Sequence, residues 1–309
     1  MQNSENQNCG SFEFEHATPE SVGVSSRSVL KCLREMEACG TELHGFMLYR
    51  KGKIISQTNW KPYSCDFPHT NHSMGKSYTA AAIGIACGDG LLSTEDSLAD
   101  IFADELKKWN INPSPRFRRI KVKHLLTMSA GMKQMPPFTD NWVLDYLRSE
   151  PAYEPGEHFL YDTSGASLLG AILEKKTGMG LKEFLSKRLF NKIGIDPENF
   201  IWLKFPNGCN AEPGTCSTEE ANLRLGLFYM NYGSWNGEQI APREWMEQAT
   251  SRRIKTSEGG EYSQGYGYQM WLCSTPETFR FDGGQGSFAL FPAGWKWPRQ
   301  STKALRCRK

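Results

Sequence analysis

The stretch HSMGKSYTAAAIGIACGDGLLSTEDSL, residues 72–98, joins a candidate nucleophile to the most apolar helix in the chain. From Ser73 the pattern is helical to about Gly88, and Asp89-Gly90 breaks it. Thr79 to Gly88 is ten small or apolar residues, suited to a buried helix and far short of a membrane span. Ser73-Met74-Gly75-Lys76 opens this helix, and residues i and i+3 share a helix face, so the Lys76 amine can reach the Ser73 hydroxyl. A serine needs a base to become nucleophilic, and a lysine serves as one when burial or a nearby cation lowers its proton affinity. The pattern S-x-x-K is weak alone, since about two matches are expected by chance in a chain of this composition. Ser28-Val29-Leu30-Lys31 is a second match, inside an ordinary amphipathic helix with no Gly-rich or aromatic partner nearby.

Outward from this segment, HGFMLYR (44–50) and KIISQTN (53–59) flank Lys51-Gly52 and alternate as a hairpin does. A helix capped by Ser25 or Ser26 runs to about Ala38. Val122 to Met128 reads as a short helix, and 132–158 as a long loop with one short helix. Ser164–Lys176, Leu181–Phe190 and Glu219–Tyr232 read as helices, the last capped by Ser217 or Thr218. Tyr266–Leu272 and Phe279–Phe291 read as strands joined through Gly-rich turns. Strands, a long helical insert, then strands again predict an α+β protein whose sheet draws on both ends of the chain. Residues 1–60 and 235–309 would form a sheet-containing lobe and 61–234 a helical lobe, intertwined as one catalytic domain.

The 309 residues suffice for one large domain or two packed lobes. The net charge of +2 is uneven. Residues 292–309 carry six basic side chains and no acidic one, leaving 30 basic and 34 acidic residues elsewhere, a net of −4. That body offers no electrostatic case for nucleic acid. The polar start MQNSENQNCGSFEFEH has no apolar signal core, so export is not indicated and a cytoplasmic location is expected. Nine cysteines, none spaced C-x-x-C, read as mostly free thiols. The six histidines show no H-x-x-x-H pair, and the His69/His72 spacing favours packing over zinc.

Two further segments could carry chemistry. Tyr161, in PGEHFLYDTSGASLLG (155–170), stands just before a helix, where a phenol could relay a proton. Asp282-Gly283-Gly284-Gln285-Gly286-Ser287 leads into an alternating strand, and its backbone N–H groups could hold an oxyanion. A packed tyrosine and a tight hairpin turn are the plain alternatives. No Gly-Lys-Ser/Thr follows, so this is not a phosphate loop.

In this order the pieces resemble the serine β-lactamase and penicillin-binding-protein superfamily, in the branch of class C β-lactamases, esterases and nylon-oligomer hydrolases. The resemblance runs from about residue 18 to 291. It takes in HSMGKSYTAAAIGIACGDGLLSTEDSL, VKHLLTMSAGM, PGEHFLYDTSGASLLGAILEKKTG and CSTEEANLRLGLFYMNYGSWNGEQIAPREWMEQAT. It implies an antiparallel sheet flanked by helices plus a mostly helical lobe. It also implies Ser73 as the acylated nucleophile, Lys76 as its base, and Tyr161 as the tyrosine of a Tyr-x-Asn element. Gly283-Gly284 stand at the third, strand-borne element, with the Gly284 and Ser73 N–H groups as oxyanion donors. Lys176-Thr177-Gly178 is rejected for that role, because it follows Tyr161 by only fifteen residues and ends a helix.

The chain departs from the family's pattern. Thr163 replaces the Asn of the second element. The third element lacks a Lys or His to hold a substrate carboxylate, which favours neutral esters or amides. In the family two more strands and a helix follow the third-element strand, and the last strand pairs with the first. Here PAGWKWPRQSTKALRCRK follows Phe291, so the C-terminal strands and helix are expected to be missing, with 292–309 an atypical tail from truncation or a frameshift. The leading expectation is a serine hydrolase acting on a small-molecule ester or amide through an acyl-enzyme, with no metal or organic cofactor implied. A true β-lactamase or DD-peptidase, or a truncated non-catalytic relative, are the alternatives.

Overall fold

The computed structural model describes residues 13–40, 42–204 and 214–292. After β1 (Glu15–His16) and α1 (Ser26–Ala38) comes the expected hairpin, β2 (Gly45–Arg50) and β3 (Lys53–Asn59). Its turn, Lys51-Gly52, has φ of 50° and 88°, the left-handed pair that a two-residue hairpin turn requires. β2 pairs antiparallel with β3, with a bulge after Leu48, and β1 adds in parallel on the other side of β3.

The chain then enters the helical part: β4 (His69–Thr70), α2 (Gly75–Gly88), α3 (Leu98–Ile101), α4 (Ala103–Lys108), α5 (Val122–Leu126), α6 (Trp142–Arg148), α7 (Thr163–Thr177), α8 (Leu181–Leu185) and α9 (Asn191–Ile193). β5 (Ile201–Trp202), β6 (Thr215–Ser217), α10 (Glu219–Met230), the small ribbon β7 (Ser234–Trp235) and β8 (Glu238–Gln239), and α11 (Arg243–Ala249) lead to β9 (Trp271–Leu272), β10 (Thr278–Gly283) and β11 (Ser287–Pro292).

α2 is the axle of the helical part. Every residue from Gly75 to Ala86 is buried, as expected of a helix that is apolar all round. It packs against α7, α8 and α11. Gly84 makes the α11 contact possible, since a Cβ there would lie 2.3 Å from Trp245 Nε1. α7 ends where Gly178 turns left-handed at φ 72°, so Lys176-Thr177-Gly178 is a helix terminus, as the sequence indicates. Thr218 caps α10 by accepting from the Ala221 N–H at 3.3 Å.

Three expectations need revision. The sheet is not one continuous ladder among the described residues: β1-β3-β2 and β9-β10-β11 are separate three-stranded sheets, with a third small sheet of β4, β6 and β5. β2 and β11 both pack on α10, where Phe291 lies against Gly226 and Glu219 against Gly45. Second, only Trp271–Leu272 of the 266–272 segment is strand. Gln269 takes φ 58° and buries its amide, donating to Leu125 O (2.8 Å) and Leu126 O (3.1 Å), which folds the segment onto α5. Third, α5 stops at Leu126, because Met128 adopts φ 56°. The expectation about the tail concerns residues 293–309, outside the described residues.

Gly84→Ala should destabilise the protein by about 1–3 kcal/mol despite alanine's better helix propensity, because Trp245 must leave its packed position. Urea denaturation checks this, and adding Trp245→Phe should recover part of the loss.

Candidate active site

The start of α2 is held in an unusual shape. Asn71 donates its N–H to Thr215 O (2.8 Å) and accepts from Met74 N–H (3.0 Å). Its Oδ1 accepts from Ser217 Oγ (3.0 Å) and Asn222 Nδ2 (3.1 Å), and Tyr78 Oη donates to Asn222 Oδ1 (2.9 Å). Between this anchor and the helix, His72 adopts φ 47°, a left-handed conformation uncommon outside glycine that costs on the order of 1–3 kcal/mol. Strain of this kind persists only where the surroundings over-determine it. Here it sets Ser73 half-buried on a short turn, His72–Met74, directly before α2.

Lys76 is 1 % exposed, and its Nζ donates to Ser73 Oγ at 3.1 Å and to Thr163 Oγ1 at 3.3 Å. Ser28-Lys31 has no such setting: Lys31 is solvent-exposed on α1 and pairs with Glu35. The Tyr161 ring lies beside the Lys76 amine, with Nζ 5.0 Å from its centroid, close enough for a cation–π contact with the ammonium form. Tyr161 stacks on Trp271 at 5.6 Å and 16°, and Tyr266 meets Trp271 edge-on, so an aromatic wall backs the amine. Gly283 packs directly on Asn71 O, with room for no Cβ, and Gly284 lies against the His72 ring. The structure therefore brings together Ser73, Lys76, Tyr161, Thr163, Gly283 and Gly284, all six of the sequence-derived positions.

The strand carrying the glycines has a cation that the motif comparison passed over. Arg280 is buried two residues before Asp282, and its Nε donates to Asp282 Oδ2 at 2.8 Å. Arg280 also donates to Leu272 O and sits 4.7 Å over the Tyr262 ring. Its charge is spent inside the protein.

Asp162, between Tyr161 and Thr163, was also missed. It is 5 % exposed, and neither carboxylate oxygen has a hydrogen-bond partner of normal geometry among the described residues. Burial pushes its carboxyl up to about 6 from 3.8, while the Gly165 and Ser164 N–H groups, the Tyr146 hydroxyl and the Lys76 charge act to lower it. A small cavity of about 10 Å³ lies beside it, lined also by His124, Tyr146 and Gly165. The only sequence signal was its place inside the YDT block.

Among the described residues no group of three or more His, Cys, Asp or Glu could hold a metal, and no helix is long and apolar enough to cross a membrane.

This architecture sets a strained turn at His72–Met74, a buried lysine one helical turn after Ser73, and a glycine-bearing strand beside them. The model of the Beta-lactamase family matches residues 35–294, and the chain belongs to that family. It is 23% identical over 222 residues to a β-lactamase of Escherichia coli K12, covering 64% of this chain and 56% of that protein. It is 26% identical over 190 residues to a lovastatin esterase of Penicillium rubens, covering 52% and 47%. The chain thus spans about half the length of these curated relatives. A penicillin-binding-protein homologue from Caulobacter crescentus shares the fold, with TM-score 0.69, 16% identity and coverage of 92% and 91%.

A carboxyl raised from 3.8 to about 6 means that the folded chain holds the proton more tightly than the unfolded chain. Its stabilising contribution is complete below about pH 4 and is lost as pH rises through about 6. Asp162→Asn should therefore be more stable than wild type above that window, by on the order of 2–3 kcal/mol, with the difference shrinking on acidification. Thermal melts of both proteins across this range check the sign.

Proposed function

We propose that the protein is a serine hydrolase that cleaves an ester or amide through a covalent acyl-enzyme on Ser73. The observation that carries this is the contact of the buried Lys76 amine with Ser73 Oγ, at 3.1 Å. With Lys76 neutral, the same contact runs in the other sense and the serine O–H donates to the amine. Ser73 Oγ attacks the substrate carbonyl carbon as its proton passes to Lys76 Nζ. The oxyanion is held by backbone N–H groups, with those of Ser73 and Gly284 the candidates. As the bond to the leaving group breaks, Lys76 returns the proton to the departing oxygen or nitrogen. The Tyr161 ring steadies the transient ammonium, and its phenol is the candidate relay to the leaving group. A water then attacks the acyl carbonyl on Ser73 and loses its proton to Lys76, which passes it to Ser73 Oγ as the ester bond breaks, releasing the acid and restoring the serine. Thr163 orients the amine.

The likeness to a β-lactamase and to a lovastatin esterase supports a hydrolase acting on acyl compounds. The neutralised Arg280 favours a neutral acyl group over a carboxylate-bearing substrate such as a penicillin. The six free cysteines among the described residues accord with action in a reducing compartment, the cytoplasm.

With p-nitrophenyl acetate the wild type should show an acyl adduct by intact mass and steady turnover. Ser73→Ala should show neither, and Lys76→Ala should acylate about 10³-fold more slowly. Folded wild type without an adduct would refute the reading. Turnover of a chromogenic cephalosporin faster than of the ester would replace it with a β-lactamase.

A further inference from the structure

Two histidines that lie 25 positions apart in the chain meet side by side, with their Nδ1 atoms 3.2 Å apart. His44 directly precedes β2, and its carbonyl accepts from the Trp60 N–H at 3.0 Å. His69 opens β4 and pairs with Ser217 of β6. The two ring centroids are 5.2 Å apart, with the planes at 45°. Tyr63 stacks on the His44 ring at 3.6 Å and 20°, and its hydroxyl donates to Glu42 Oε1 at 3.2 Å. The same Glu42 oxygen stands 3.7 Å from His44 Nε2, behind the nitrogen that faces His69. The His44 side chain is 41% exposed, so solvent reaches the pair. His69 Nε2 is buried without a hydrogen-bond partner, which leaves Nδ1 as the nitrogen of that ring open to an ion.

We propose that His44 and His69 form a site for a divalent transition-metal ion of the zinc class, held by both Nδ1 atoms with water completing the shell. Two imidazole nitrogens bound tetrahedrally at about 2.0–2.1 Å from such an ion lie about 3.3–3.4 Å from each other, close to the spacing observed. Without an ion, one ring donates its N–H to the other. A small swing about χ2, a broad torsion, turns both lone pairs toward one point. Above about pH 7 imidazole is mostly neutral, the form that ligates. Imidazole nitrogen selects zinc, copper or nickel over magnesium and calcium, which prefer oxygen. Glu42 has the place of the carboxylate that orients a ligating imidazole through its other ring nitrogen, and the Tyr63 stack holds that ring still. β2 and β4 belong to separate sheets among the described residues, so the ion clips one to the other. The site uses none of the residues of the acyl-enzyme reading and does not depend on it.

The test is calorimetric titration of the full chain with Zn²⁺, with thermal melts at rising Zn²⁺ and with Co²⁺ absorption to report the ligand type. Wild type should bind the ion, and its Tm should rise with ion concentration. Free cysteines are the competing ligands, so the Co²⁺ spectrum should lack thiolate charge transfer. His44→Ala and His69→Ala, each folded, should weaken this binding at least about 100-fold and lose the rise in Tm, and Glu42→Gln should weaken it about tenfold. Cys65→Ser and His16→Ala, at exposed positions, should bind as wild type. Mg²⁺ should give neither heat nor stabilisation. Failure of wild type to bind millimolar Zn²⁺ overturns the proposal. So does undiminished binding in either folded histidine variant, loss of binding in Cys65→Ser, or a thiolate band with Co²⁺. If an alanine variant does not fold, His69→Gln decides: lost binding supports the site, and wild-type binding overturns it.

Discussion

Lys76 has almost no contact with solvent, and it opens a helix whose other buried side chains are small, apolar or neutral. Taking an amine out of water disfavours its charged form, so the residue stays there only if the surroundings accept both a neutral and a transiently charged state. Much of the local structure answers that requirement. Ser73 and Thr163 supply oxygens at hydrogen-bond distance, and the Tyr161 ring supplies a π face. The long apolar body of α2 supplies the burial itself, anchored by α7, α8 and α11.

The placement of Ser73 depends on a second constraint, the left-handed His72. Histidine visits that conformation more often than most non-glycine residues, but still too rarely for local preference alone to select it. It is imposed from both sides, by the Asn71 hydrogen bonds to β6 and α10 and by the start of α2. Gly283 completes the enclosure, because its missing side chain lets β10 close onto Asn71 O. The glycine-bearing strand and the serine turn are therefore coupled through backbone contact, and a shift in β10 would be felt at the nucleophile before any substrate arrived.

Much of this was legible in the sequence, for physical reasons that differ by element. The α2 helix declares itself by a run of apolar residues closed by Asp-Gly, and the β2–β3 hairpin by alternation around Lys-Gly. The Ser73–Lys76 pair follows from helical periodicity, and Tyr161, Thr163, Gly283 and Gly284 from their resemblance to family motifs. What stayed hidden depends on long-range contact. Gln269 reads as one polar residue in a strand-like run, and only its bonds to the end of α5 explain why the strand shortens. Asn71 and Asn222 are 151 positions apart, so no local pattern could announce their bond. Asp162 carries no sequence signal beyond its place in the YDT block, and its burial comes from packing against α5 and α6.

Arg280 bears on the same question from the substrate's side. A motif reading finds no Lys or His on the third element and infers that no cation is there. The strand does carry one, yet Asp282 on the same face neutralises it and Tyr262 covers it. A substrate carboxylate would have to displace a short internal ion pair from a buried position, and breaking such a pair leaves an uncompensated charge. A neutral acyl group would meet no such cost. The Arg280–Asp282 pair thus serves the integrity of β10 and leaves the third element without a free cation for a substrate carboxylate.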